Sequence, residues 1–265
     1  MKKIEVYNPF NMDSEFNIIT DNNKRYFKIE NILLEISENG YIPKSGLLFY
    51  DVLSEKEIKN RTVLDLGCGY LGILGVISML RGAKTIDAVD YDFNCVSWFN
   101  KLIRDNNFKI DCYQSDYFKN INNKKYDIIL SNPPQMPMIS GSVHDSGGID
   151  GRKYILKIMK EARNYLNNDG SLYILMFDFL GIENTNGNEK SIKQIANELG
   201  YKTFEILNET KKVIKPGSVT FDSMEHILNI YPEYKFIKEN DFYTNKIKIV
   251  RMKKWINIQN NLSKY

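Results

Sequence analysis

The chain is poor in the residues that carry most metal and redox chemistry. It has three cysteines and two histidines among 265 residues. Cys68, Cys95 and Cys112 show no C-x-x-C spacing, which argues against a zinc site and against a disulfide framework. No apolar run reaches the roughly 18 residues needed to cross a bilayer. The opening MKKIEVYNPFNMD lacks the apolar core of a signal peptide, so the expectation is a cytoplasmic protein without membrane contact. Neither sign of charge dominates: 36 Lys and Arg stand against 33 Asp and Glu, a net charge of +3. That balance permits a nucleic-acid partner without arguing for one. There is no internal repeat, and the Asn/Lys tracts at 120–125 and 184–190 read as polar loops. The length fits one large domain, or one domain with an appendage, able to bury a substantial core.

What is present concentrates in residues 63–76, VLDLGCGYLGILGV. Val63, Leu64 and Leu66 read as a buried strand, and Gly67, Gly69 and Gly72 as the turn that follows it. Without a Cβ, glycine lets the backbone approach a ligand closely, and the helix that starts next points free N–H groups into the same space. A second apolar strand, TIDAVDYD, ends in Asp90, 18 residues after Gly72. That is near the spacing of about 20 expected for an acid gripping a ribose diol. A third, YDIILSNPPQ, runs into Asn132, Pro133, Pro134 and Gln135.

This combination resembles class I S-adenosylmethionine (SAM)-dependent methyltransferases of the amino-methylating NPP branch. The nearest likeness is to release-factor glutamine methyltransferases, which carry NPPY and a later G-G-x-D-G loop, matched here by residues 147–151, GGIDG. The resemblance implies a Rossmann-like α/β fold: a seven-stranded, mostly parallel sheet with an antiparallel last strand and helices on both faces. It implies SAM as cofactor and no metal. It covers roughly residues 40–180. Residues 1–39 read as a strand or hairpin extension, too short for the helical substrate domain that precedes the core in release-factor methyltransferases.

Along the chain, strands are expected near 62–66, 85–89, 109–113, 126–131 and 171–177, with helices near 70–80, 92–104, 152–167 and 188–199. YKTFEIL follows as a strand and KIKIVRMKK, 246–254, as the last. The methyltransferase domain thus spans 40–265, with an insertion at 209–244 where the family has a tight hairpin. Long insertions in compact domains are often lids or binding loops, so this one is expected to shape the acceptor pocket.

The family's roles carry over residue by residue. Asp65 organises the glycine turn and reaches the amino end of SAM, while Gly67, Gly69 and Gly72 let the backbone pass beside the cofactor. Gly72 stands one position later than the family pattern. Asp90 takes the ribose hydroxyls, a carboxylate offering two oxygens to two donors. Tyr91 flanks the adenine and Asp116 accepts from its amino group. At the NPPQ turn, Asn132 and the Pro133 carbonyl hold the N–H groups of the acceptor, Pro134 stiffens the turn, and Gln135 replaces the usual aromatic. Glutamine hydrogen-bonds but stacks poorly, which favours a small or polar acceptor over a flipped base. His144 and His226 are candidate proton acceptors, and Arg152 a candidate partner for an acceptor carboxylate.

The leading expectation is therefore N-methylation of an amide or amine in a small molecule or a protein side chain. Two alternatives stay open: methylation of an rRNA, tRNA or DNA base, and a reaction in which SAM itself is the substrate.

Overall fold

The computed structural model describes residues 2–38, 40–139, 141, 144–187 and 190–254. Two sheets organise them. The first is an antiparallel meander of β1 (Lys3–Tyr7), β2 (Phe16–Asp21), β3 (Lys24–Ile29) and β4 (Ile32–Ile36). Its β2–β3 turn is Asn22-Asn23, both at positive φ (48° and 64°), the backbone of a two-residue hairpin loop matched to strand twist. Phe16, Phe27, Ile29, Leu34 and Ile36 bury one face of the meander in the common core. Trp98 Nε1 donates to the Glu35 carbonyl at 3.1 Å and Lys101 pairs with the Glu35 carboxylate at 2.7 Å, fixing β4 to the helix that carries both. The expected single strand or hairpin in 1–39 is thus a four-stranded sheet.

The second sheet holds β5 (Thr62–Leu66), β6 (Thr85–Asp90), β7 (Asp111–Gln114), β8 (Tyr126–Ser131), β9 (Leu166–Phe177), β10 (Tyr201–Ile214), β11 (Ile237–Glu239) and β12 (Phe242–Lys254). Its order is β10-β12-β9-β8-β5-β6-β7, with β11 paired to β12. The strands β5 to β9 are mutually parallel, and β12 is antiparallel to both neighbours. The parallel strands are apolar without alternation because helices cover both faces: Val63, Leu64, Ile129, Leu130, Leu172 and Ile174 are all buried.

The helices are α1 (Phe49–Val52), α2 (Glu55–Ile58), α3 (Ile73–Leu80), α4 (Phe93–Asn106), α5 (Lys153–Ala162), α6 (Ile192–Glu198), α7 (Val219–Asp222) and α8 (Met224–Ile230). Asp92 caps α4, accepting from the Asn94 amide at 2.8 Å, and Ser191 with Gln194 forms a capping box on α6. No helix among the described residues is long and apolar enough to cross a membrane.

Three boundaries differ from the sequence expectation. The helix expected over 152–167 stops at Ala162, and β9 begins at Leu166, passing through Asp169 at positive φ. The helix expected from 188 begins at Ile192, and residues 188 and 189 lie outside the described residues. The insertion expected at 209–244 shortens to 215–241, because β10 and β12 pair from Tyr201–Lys254 out to Ile214–Tyr243. The outer part of that hairpin, NETKKVI, is polar in all but its last two residues, so it lacks the apolar alternation that marks a strand.

Candidate active site

The corner between β5 and α3 lies at the C-terminal ends of the parallel strands, where such sheets hold ligands. Gly67 and Gly69 have positive φ (85° and 62°), and a Cβ on either would meet no atom within 4 Å: both face open space. The Gly67 and Cys68 amides donate to the Val89 carbonyl at 2.8 and 3.0 Å, and the Gly69 amide to Asp90 Oδ2 at 2.8 Å. The turn is therefore clipped to the end of β6. Asp90 Oδ1 accepts from the Asp92 amide at 2.9 Å. Two of the four or so lone-pair sites of this carboxylate are used, which leaves capacity for two hydroxyl donors. Burial pushes Asp90 above its ordinary pKa, against the pull of the Asp92 and Gly69 amides.

Asp65 is wholly buried under the same turn. Its Oδ2 accepts from the Gly75 amide at 2.8 Å, while Oδ1 has no hydrogen-bond partner. Burial raises its pKa to about 7 in spite of the Gly75 amide. A buried, half-satisfied carboxylate is an uncommon and costly feature.

Gly72 does a different job. At φ 52° it caps α3, and a Cβ there would sit 2.0 Å from the Phe99 ring of α4. Its place in the motif is set by helix packing, and it is not among the residues that line the crevice.

Ser131 Oγ donates to the Leu66 carbonyl at 2.8 Å, which ties the end of β8 to the end of β5. Asn132 comes next and lines one crevice with Asp65, Gly67, Gly69 and Tyr70. The segment carrying Tyr41, Pro43 and Gly46 forms a strap along the same crevice, which is partly open and holds about 50 Å3 of free space.

The NPPQ turn is braced from behind. The Gln135 and Met136 amides donate to the Asp145 carbonyl, and the Gly147 amide donates to the Met136 carbonyl at 2.8 Å. A Cβ on Gly147 would lie 2.6 Å from the Gln135 Cα. The GGIDG loop is thus a backbone-to-backbone support for the NPPQ turn. Gln135 is only 3% exposed and does not reach the crevice, contrary to its expected contact with the acceptor. Its Nε2 donates to the Leu175 carbonyl at 2.9 Å and the Pro133 carbonyl at 3.2 Å, and its Oε1 accepts from the Phe177 amide at 2.8 Å. Gln135 therefore anchors the Pro133 carbonyl to β9.

Other expected residues fall elsewhere. Asp116 pairs with Lys119 and, at 3.8 Å, with Lys157; the Lys119 hydrogen bond holds its carboxyl below the ordinary value, and it does not line the crevice. Tyr91 is 72% exposed at the end of β6, with its carbonyl accepting from Gln114 Nε2. Arg152 is buried, and its guanidinium donates to the Leu180, Gly181 and Lys190 carbonyls, so it is a structural clamp rather than a substrate contact. His226 Nε2 lies 3.0 Å from the Ile149 carbonyl, and the Tyr231 hydroxyl donates to the Asp150 carbonyl. The 215–241 segment is by these contacts seated on the GGIDG loop. His144 stacks edge-on to Tyr41 at 6.4 Å.

A family model described as the methyltransferase small domain matches residues 40–207. The chain belongs to this family. This methyltransferase is 32% identical over 167 residues to a putative protein N5-glutamine methyltransferase of Methanocaldococcus jannaschii, covering 60% of this chain and 82% of that one. It is 32% identical over 130 residues to ribosomal RNA small subunit methyltransferase C of Haemophilus influenzae, but spans only 35% of that protein. A solved 16S rRNA N2 G1207 methyltransferase of T. thermophilus, in complex with AdoMet and guanosine, aligns with a TM-score of 0.54 over 95% of this chain and 51% of that one. At 17% identity the likeness concerns the fold.

The cofactor of this family is SAM, and the corner fits it on three counts. The unpartnered Asp65 oxygen suits its ammonium, the spare acceptor sites of Asp90 suit its ribose hydroxyls, and the open sides of Gly67 and Gly69 leave room for its body. When bound, it supplies an electrophilic methyl group.

Proposed function

We propose that this SAM-dependent methyltransferase N-methylates a side-chain amide, with glutamine as the favoured acceptor. The observation that carries the reading is the single crevice shared by the glycine turn and Asn132. Displacement at a methyl carbon needs the acceptor nitrogen in line with the departing sulfur. An amide nitrogen has its lone pair delocalised and gains most from being held. The Asn132 side-chain oxygen and the Pro133 carbonyl are two acceptors for its two N–H groups. Proline fixes the direction of that carbonyl, and Gln135 fixes its position. Orientation and preorganised dipoles then account for the rate, with no strong base needed. The Methanocaldococcus relative, named as a putative protein N5-glutamine methyltransferase, supports an amide acceptor.

The second reading, a ribosomal RNA base, draws on the Haemophilus relative. The buried Gln135, which offers no stacking face, weighs against it.

The test is Asn132→Ala. Turnover is expected to fall by about 10²–10³, the loss typical of one preorganised transition-state contact, while SAM binding by calorimetry stays intact. Near-normal methyl transfer by that variant rules the role out. Fractionating a cell extract after incubation with methyl-labelled SAM then separates protein, nucleic-acid and small-molecule acceptors.

A further inference from the structure

The β10–β12 hairpin builds a wall beside the NPPQ turn. Thr210 of β10 pairs with Ile247, which pairs with Phe177, the last residue of β9. β10 continues to Ile214, so Lys212 lies past the C-terminal ends of the parallel strands, at the edge where Asn132 sits. Its Nζ lies 4.6 Å from the centroid of the Phe177 ring and donates to Thr220 Oγ1 at 3.0 Å. The Phe177 amide holds Gln135, which holds the Pro133 carbonyl. Phe177 therefore links the hairpin to the NPPQ turn: its ring meets the Lys212 ammonium and its amide meets Gln135.

Lys212 differs from its neighbours on the hairpin. Lys211 pairs with Glu239, and Lys246 and Lys248 with Glu209. Lys212 is half-buried and makes no ion pair among the described residues; it has a hydroxyl and a ring face. The charged groups acting on it come from two other elements: Asp145 in the loop after NPPQ attracts it, and Lys44 in the strap repels it. Burial lowers its pKa to about 8. Holding an ammonium in such a place without an anion is unfavourable, and an anion supplied by a ligand relieves it.

We propose that Lys212 is a specificity-determining residue that takes a carboxylate of the acceptor, so that the substrate is an amide with an acidic group beside it. This rests on the amide reading of the site. The carboxylate has two possible sources, the free α-carboxylate of a terminal glutamine or the side chain of a flanking acidic residue.

The experiment uses the full chain with SAM and three peptides: capped Ala-Ala-Gln-Ala-Ala, capped Ala-Ala-Gln-Glu-Ala, and Ala-Ala-Gln with a free C-terminal carboxylate. The first readout is kcat/KM for methyl transfer. The second needs no turnover: the rate at which trace acetic anhydride acetylates Lys212, followed by mass spectrometry. One carboxylate peptide is expected to exceed the neutral one in kcat/KM by about tenfold, the value of one charge-assisted contact. Which of the two does so names the source. The preference collapses toward unity in Lys212→Met and is largely kept in Lys212→Arg. The favoured peptide slows acetylation of Lys212, and the neutral peptide does not. A preference that survives Lys212→Met, or acetylation slowed equally by all three peptides or by none, overturns the proposal. If no peptide is methylated but a carboxylate peptide alone protects Lys212, the amide reading falls and the anion subsite stands.

Discussion

Replacing Gln135 with leucine keeps the volume of the side chain and removes its three hydrogen bonds. The Phe177 amide loses its partner in a buried setting. A buried donor left unsatisfied costs about 1–3 kcal/mol, and the Leu175 and Pro133 carbonyls, which have second lone pairs, lose less. A total of about 2–4 kcal/mol follows, a large share of the 5–15 kcal/mol typical of a folded domain but short of unfolding it. The assay is urea denaturation by circular dichroism, where the midpoint is expected to fall with the slope unchanged. Activity should fall too. The Pro133 carbonyl is no longer tied to β9, and a small misplacement of a positioning group costs on the order of a hundredfold. SAM affinity should hold, because Gln135 does not line the crevice. An unchanged urea midpoint, or a loss of SAM affinity equal to the loss of kcat, refutes the role assigned to this side chain.

Two further contrasts test the corner. Gly72→Ala places a methyl inside the Phe99 ring and is expected to destabilise the fold by about 3 kcal/mol or more, whereas Gly69→Ala costs about 1 kcal/mol of backbone strain and mainly weakens SAM binding; calorimetry and urea melts on both decide, and equal stability losses contradict the assignment. Asp65, raised to about 7 by burial, holds its proton more tightly in the fold than in the unfolded chain. Its stabilising contribution is full below the ordinary carboxylate range near pH 4 and is lost as pH rises to about 7, a slope of up to about 1.4 kcal/mol per unit. Asp65→Asn should flatten that slope in urea melts run across pH 4–7, and parallel wild-type and variant curves argue against a buried, poorly satisfied carboxyl.

The elements legible in the sequence were those whose signal is local. The strands β5, β6 and β8 announce themselves as apolar runs ending in a glycine turn, Asp90 and NPPQ. The misread residues share one property: their partners are remote. Gly72 answers to Phe99, Gln135 to Leu175 and Phe177, and Arg152 to Leu180. No pattern within a dozen residues of each reveals those contacts. The outer half of β10 was hidden by its polar composition, and Lys212 by its separation of 35 residues from Phe177. In residues 3–36 the paired asparagines at 22 and 23 were a usable hairpin signal.

β12 comes last among the strands but lies inside the sheet, between β9 and β10. The main sheet gives β10 no other neighbour. During synthesis, the strands β5 to β9 emerge before β10, and β10 has no partner in the main sheet until β12 emerges about thirty residues later. The residues that line the crevice all precede β9 in the chain, whereas the hairpin that carries Lys212 closes only when β12 pairs with both β9 and β10.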